Sequence, residues 1–395
     1  MSAHHILILL AIGYVLYVAD RIQSRIPVPL LLVLIGMGCA YVPVFAEVEI
    51  TRELLFEGLL PALLFVSAYR LSFSALRRHG AMIGLLSTAG LLLTALLLGG
   101  LIWLVQPLAV SLSFAAALTL AAVLTPTDPV SVVGVLRNSD VNPMLVSVIE
   151  GESMINDGTS VVVFAIASRL MLEGATFTVG GFAWQFATVS LGGAAIGLVV
   201  GWLLAKSIYL TPRKEYQVML SIIISYGSFY LAEALGASGV LATVAAGIML
   251  AWEFQRSRTE ARYRDSLEGF WSVVDPSLTS LVFLIIGIVS VQYIEWTQWP
   301  AMLGIFAASL LVRYIVLLLL LGPVGAWRRE LSWRGFTVLT MADVRGTMSV
   351  VLLLTLTTEL PERLSGLLSL AFGVVLCSLV LQSVIVYPLA RLVRR

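Results

Sequence analysis

Charge is what this sequence has least of. Of its 395 residues, 12% are Asp, Glu, Lys or Arg, where a soluble domain carries roughly a quarter. Histidine is scarce as well: His4, His5 and His79 are the whole set, and none lies in an apolar run. That excludes haem ligation, a His-ligated zinc and Ser-His catalysis at membrane depth. The only lysines, Lys206 and Lys214, do not follow the glycine pattern of a phosphate loop, so ATP-driven pumping is not read in this chain. Cys39 and Cys377 both sit in apolar runs and read as small buried hydrophobes, not as a disulfide or metal pair. A formal net charge of +1 carries no signal for nucleic acid, and no cofactor is implied.

What is present is apolar surface. Hydrophobic residues make up 59% of the chain and the mean hydropathy is +0.99. No core can absorb so much, but a bilayer can. The runs are long and continuous, which points to spanning helices and not to the alternating ten-residue segments of a barrel. The reading is an all-α polytopic membrane protein of about thirteen spans. They fall near 5–20, 28–45, 53–72, 80–106, 112–136, 142–172, 180–206, 215–236, 238–254, 273–293, 299–323, 335–358 and 364–390. The first run ends at Asp20-Arg21 without a small-residue cleavage site and reads as a retained helix. Alternate loops then hold 19 basic residues on one side and 3 on the other (Arg52, Arg169 and Arg363). This bias sets the N-terminus outside and the C-terminus in the cytoplasm, in a cell (inner) membrane. The charged connector at about 255–272 reads as a short interfacial helix. No tandem repeat, low-complexity segment or soluble domain is read.

Buried charge marks the function. A charged side chain at the bilayer centre costs about 2.5–3.5 kcal/mol on insertion scales, and such residues are rare and functional. The candidates in apolar segments are Glu57, Asp128, Glu150, Glu152, Asp157, Asp275, Arg313, Asp343 and Arg345, and four of the acids fall within thirty residues. In span five, Thr125-Pro126-Thr127-Asp128-Pro129 puts two prolines three apart. They break the helix at membrane depth and free carbonyls, including that of Thr127, for a cation. The plainer reading is a proline kink with Asp128 capping the second half-helix. In span six, Glu150, Ser153 and Asp157 are spaced i, i+3, i+7 and share a helix face, with Glu152, Asn156 and Thr159 on the adjacent one. Asp157 faces a cavity shared with Asp128, while Glu150 and Glu152 are open to a purely structural ion-pair role. In span twelve, Asp343-Val344-Arg345-Gly346-Thr347-Met348-Ser349 interrupts a second helix, and Ser131-Val132-Val133 is echoed by Ser349-Val350-Val351. Paired interruptions mark an inverted-repeat transporter. Arg345 is expected to pair with Glu152, and Arg313 with an acid or carbonyl near the same core.

These residues, in this order, resemble a known family. Glu150-Gly151-Glu152-Ser153 followed by Asn156-Asp157-Gly158 looks like the Asn-Asp signature of the sodium/proton antiporters. Thr127-Asp128-Pro129, Arg313 and Arg345-Gly346 resemble its other motifs, and the likeness runs along nearly the whole chain. The closest subgroup is the NhaP-type exchangers. The resemblance implies thirteen helices in two six-helix inverted repeats, with crossed broken helices at spans five and twelve. It implies core elements at about 80–172 and 299–358, the other spans forming a dimer scaffold, and a homodimer in the bilayer. It further implies that Asp157 alternately holds cation and proton. Asp128, Ser153 and the Thr127 carbonyl would complete the site for Na+, Asn156 would orient it through Arg313, and Glu152 and Arg345 would form a structural salt bridge. In span three the family commonly has an acid where this chain has Val66; Ser67 offers a hydroxyl nearby, and Glu57 lies more than two turns away.

Two carboxylates close together in a low-dielectric cavity cannot both ionise cheaply. A cation offsets that penalty and so does a proton, so the two compete for one site. Competition with alternating access is antiport of monovalent cations against protons. Hard oxygen ligands suit sodium or lithium. The single titratable acid of the Asn156-Asp157 pair implies, through the resemblance, one-for-one electroneutral exchange. The alternatives are potassium/proton exchange on the same fold, an uncoupled channel or sensor, and an intramembrane aspartyl protease. The last lacks support, since Asp128 follows Thr127 and Asp157 follows Asn156 in place of the Tyr-Asp and Gly-x-Gly-Asp motifs. The orientation is open to a direct test. Alkaline phosphatase joined after Arg52 should be active and the same reporter joined after Arg334 inactive; the opposite pattern would invert the topology.

Overall fold

In the computed structural model, residues 3–20, 27–45, 51–71, 73–105, 112–128, 133, 136, 142–174, 177–207, 213–256, 260–331, 333–359 and 365–392 are described. Among them every regular element is helical. The helices are α1 (Ala3–Asp20), α2 (Val28–Cys39), α3 (Leu60–Tyr69), α4 (Phe73–Leu85), α5 (Leu91–Val105), α6 (Phe114–Leu124), α7 (Pro143–Glu173) and α8 (Val179–Ser207). They continue as α9 (Lys214–Ala234), α10 (Gly239–Arg256), α11 (Glu260–Tyr293), α12 (Trp299–Leu321), α13 (Gly325–Glu330), α14 (Trp333–Met341), α15 (Thr347–Glu359) and α16 (Ser365–Leu392). Each of the thirteen expected spans meets a helix or a pair of half-helices. Among the described residues, six helical stretches are long and apolar enough to cross a membrane unaided, Pro143–Glu173 and Trp296–Leu321 included. Phe114–Leu124 and Thr347–Thr358 fall short, and each adjoins a non-helical stretch, at 126–128 and at 343–346.

Local chemistry sets the ends. α7 starts where Asn142 accepts a hydrogen bond from the Met144 N–H (3.0 Å) with Pro143 in the first turn, and stops at Gly174 with φ +64°. Only a residue without Cβ holds that conformation freely. α6 starts at the Ser113 cap and stops at Leu124, just before Pro126. A π-helical turn, Leu54–Leu59, precedes α3: Pro61 has no N–H for the Glu57 carbonyl, and the Leu60 N–H bonds Leu55 instead. Fourth in the membrane, α4 and α5 run on through a second π-helical turn, Leu86–Gly90.

Two expectations change. The connector at 255–272 is not a separate interfacial helix, because α11 begins at Glu260 and runs unbroken to Tyr293. At 1.5 Å per residue it is about 50 Å long, so its charged first turns project beyond a hydrocarbon core of about 30 Å. The short helix α13, between spans eleven and twelve, is an element that the apolar runs do not mark. The Ser131-Val132 part of the sequence echo and Pro129 lie outside the described residues.

Packing is tightest between α8 and α10. Gly193, Gly197 and Gly201 form a stripe on α8 against Ser238, Ala242 and Ala246. A Cβ on Gly197 would sit 2.7 Å from the Ala242 Cα and closer still to its carbonyl oxygen. Without a hydrophobic drive between helices in lipid, close backbone approach of this kind supplies the van der Waals contact. A second, smaller cluster joins Phe65, Val66 and Tyr69 of α3 to Ile224, Leu250 and Trp271, and the Trp271 indole donates to Ser221 Oγ at 3.1 Å. Gly197→Val should therefore destabilise by at least the roughly 1–3 kcal/mol typical of overpacking, since the obstacle is backbone. Thermal unfolding in detergent should show a midpoint lowered by several degrees. Gly100→Ala, where a Cβ meets nothing within 4 Å, should leave it unmoved.

Candidate ion-binding site

The break after α6 strips four consecutive carbonyls of helical partners, and each is taken by a side chain from another element. Leu124 O accepts from Arg345 Nε (3.0 Å), Thr125 O from Asn156 Nδ2 (3.1 Å), Pro126 O from Ser349 Oγ (3.2 Å) and Thr127 O from Ser153 Oγ. Two donors come from α7, one (Arg345) from the break between α14 and α15, and one (Ser349) from the first turn of α15. The backbone is joined directly as well, since the Asp128 N–H donates to Val344 O at 2.7 Å. The two breaks thus cross and clasp each other, and α7 lies against the crossing. The electrostatics of the ends agree. Arg345 meets the partially negative C-terminus of α6, and Asp128 meets the partially positive first turn of α15, where Thr347 Oγ1 lies 3.3 Å from its Oδ2.

Asp128 and Asp157 are both half-buried and within electrostatic range of each other. Ser153, whose hydroxyl proton is given to Thr127 O, keeps its oxygen lone pairs for a further partner. The crossing therefore gathers two carboxylates, a hydroxyl and a backbone carbonyl, a hard-oxygen set suited to an alkali cation.

Beside it lies a fully buried group of four charges. Glu152, Arg313, Asp343 and Arg345 are between 1% and 6% exposed. Arg313 Nη2 pairs with Glu152 Oε1, Arg313 Nε lies 3.8 Å from Asp343 Oδ1, and Arg345 Nη2 lies 3.9 Å from Asp343 Oδ2. The four sum to zero charge, as burial at this depth requires. Gln382 of α16 completes the group. Its Oε1 accepts from Arg345 Nη1 (3.3 Å) and from Ser378 Oγ, and its Nε2 donates to Asp343 O (3.1 Å).

Residues 6–392 match the profile of the sodium/hydrogen exchanger transmembrane family. The chain belongs to that family. It is similar to the Na(+)/H(+) antiporter NhaP of Pseudomonas aeruginosa, at 33% identity over 86% of this chain and 81% of that protein. It is also similar to the Na(+)/H(+) antiporter ApNhaP of Aphanothece halophytica, at 30% identity over 95% of this chain and 72% of that one. In fold it matches the sodium proton antiporter MjNhaP1 of Methanocaldococcus jannaschii, with a TM-score of 0.79 over 98% of this chain and 97% of that chain at 18% identity.

In this exchanger Arg313 meets acids of the same core, as expected, but the pairing expected between Glu152 and Arg345 is not made. Glu152 pairs with Arg313, not Arg345, because Arg313 of α12 reaches α7 directly while Arg345 turns back on the α6 carbonyl end. Asn156 is fastened to Thr125 O, not to Arg313, and its Oδ1 is buried without a hydrogen-bond partner. Glu150 is half-buried on α7 one turn before Ser153. Val66 packs in the apolar cluster of α3 with α9, α10 and α11, and Ser67 gives its hydroxyl to Leu63 O of its own helix (3.1 Å). Asp343, Thr347, Ser349, Ser378 and Gln382 carry more of the site than their sequence positions suggested. A glutamine in the otherwise apolar last span was the readable signal for one of them. Breaking one buried pair member costs roughly 3–5 kcal/mol. Glu152→Gln and Arg313→Gln should therefore each destabilise strongly and combine far less than additively in a double-mutant cycle by thermal unfolding. Glu152→Gln with Arg345→Gln should show the smaller coupling.

Proposed function

We propose that this chain is a secondary active antiporter exchanging Na+ or Li+ for H+, one for one, by alternating access with competitive binding at Asp157 and Asp128. The observation that carries it is the Ser153–Thr127 contact placed beside two carboxylates at the crossing of two broken helices. Family membership and the named activities of the relatives support the same reading.

In the mechanism, Asp157 is the exchanging group. Asp128, Ser153 Oγ and Thr127 O complete the cation shell, and Asn156 holds the neighbouring Thr125 carbonyl so that the unwound segment keeps its shape. The quartet of Glu152, Arg313, Asp343 and Arg345 is neutral in itself, so it neither attracts nor repels the cargo. The charge to be met is that of Asp128 and Asp157. One cation or one proton leaves the same residual charge, and the carrier therefore crosses equally charged in both directions. Such a cycle escapes the roughly 2.3 kcal/mol per charge per 100 mV that a membrane potential adds. In this reading the segments near 80–172 and 299–358 move as the core, and the remaining helices form the scaffold of a homodimer in the cell membrane, with the N-terminus outside. The cytoplasmic excess of Arg and Lys supports that orientation.

The test is exchange by purified protein in liposomes. Sodium added outside should dissipate a preset pH gradient with wild type, and Asp157→Asn should reduce the rate to that of empty vesicles. An imposed diffusion potential should leave the reversal point of exchange unmoved. Potassium-driven exchange without a sodium or lithium response would refute the cation assignment, and a voltage-dependent reversal would refute the stoichiometry.

A further inference from the structure

The second break does more than close on the first: it holds Asp128 at three points. The Asp128 N–H donates to Val344 O at 2.7 Å. Its carboxylate Oδ2 lies 3.3 Å from the Thr347 hydroxyl. Its Cβ and carboxylate lie against Gly346 so closely that any side chain there would collide with them. A glycine, a hydroxyl and a carbonyl on four successive residues of the opposite break thus form a seat for one aspartate. None of Val344, Gly346 and Thr347 is needed to end α14, which stops at Met341.

We propose that Thr347 is a positioning residue for the cation site: its hydroxyl fixes the carboxylate of Asp128 over Gly346, in the orientation in which it meets the cation. The proposal rests on Asp128 being part of the exchange site. A hydroxyl donates more strongly to a charged carboxylate than to a neutral carboxyl, so the contact is made best in the form that binds the cation. Among the described residues, the charged and titratable groups near Asp128 include Asp157 from α7 and Tyr17 from α1, and Asp343 and Arg345 flank the Val344 carbonyl that its N–H meets. None of these is altered by a change at Thr347. Gly346 supplies the room and Thr347 the hydrogen bond, so the two residues have separable effects.

Two measurements on protein in liposomes decide this. The first is an infrared pH titration of the Asp128 carboxylate band, assigned by its loss in Asp128→Asn, with no transported cation present. The second is the half-saturating sodium concentration and the pH profile of exchange. With Thr347→Val the Asp128 band should shift and titrate about one pH unit higher. Half-saturating sodium should rise about tenfold, and the acid limb of the profile should move about one unit to the alkaline side, the effect of losing one hydrogen bond to a charged acceptor. Thr347→Ser, which keeps the donor, should restore all three. If Thr347→Val does not fold, Thr347→Ala removes the same donor with no larger side chain. An Asp128 band that titrates as in wild type in the folded variant overturns the proposal, as does a shifted band with unchanged sodium dependence. A wild type silent to sodium and lithium overturns the proposed function instead, and the infrared titration still decides the role of Thr347.

Discussion

A helix interrupted inside a bilayer leaves backbone carbonyls that lipid cannot satisfy, and each such group costs several kcal/mol if left bare. The architecture around the crossing follows from that constraint. Leu124, Thr125, Pro126 and Thr127 present four carbonyls in a row, and Arg345, Asn156, Ser349 and Ser153 close them one by one. Because the donors come from α7 and from the opposite break, the repair of one helix locks three segments together. Ser153 belongs both to the set that satisfies the backbone and to the candidate ion site, and Asn156 of the same set directly precedes Asp157.

The charges divide by burial. Glu152, Arg313, Asp343 and Arg345 are sealed from solvent and balance among themselves. Asp128 and Asp157 are only half-buried and stand outside that balance. Two carboxylates within electrostatic range of each other in a low-dielectric setting favour a small cation or a proton between them. The neutral quartet supplies rigidity, and the half-buried pair supplies exchangeable charge. Removing a quartet member and removing Asp157 are accordingly different perturbations, one of folding and one of transport.

The remainder of the molecule supplies a stiff frame. Along α8 and α10 the backbones approach to the limit that glycine permits, and at Gly197 the obstacle to a larger residue is main chain, which cannot rotate away. The π-helical turns before α3 and between α4 and α5 lie where the regular ladder is interrupted, by Pro61 in the first case. The Ser87 carbonyl in the second turn accepts from Thr159 Oγ1 at 2.7 Å, two residues beyond Asp157. The rotation of α7 that aims Asp157 is thus held from outside the crossing as well as from within it.

Composition and periodicity alone determined the membrane class, the thirteen spans, the two interruptions and the short set of acids and arginines in apolar surroundings. They do so because each rests on a local cost: charge in lipid, proline in a helix, apolar area in water. Which arginine meets which acid was decided only by the tertiary structure. Arg313 and Arg345 are equivalent in sequence as buried cations, and the choice between them depends on which one the helix crossing brings within reach of α7. The same holds for Asn156, whose amide could have met Arg313 but is turned to the Thr125 carbonyl. Thr347, Ser378 and Gln382 are ordinary polar residues until the fold sets them against Asp128 and Arg345. A local cost can be read along the chain, but a partner depends on distances between residues up to 223 positions apart, such as Pro126 and Ser349.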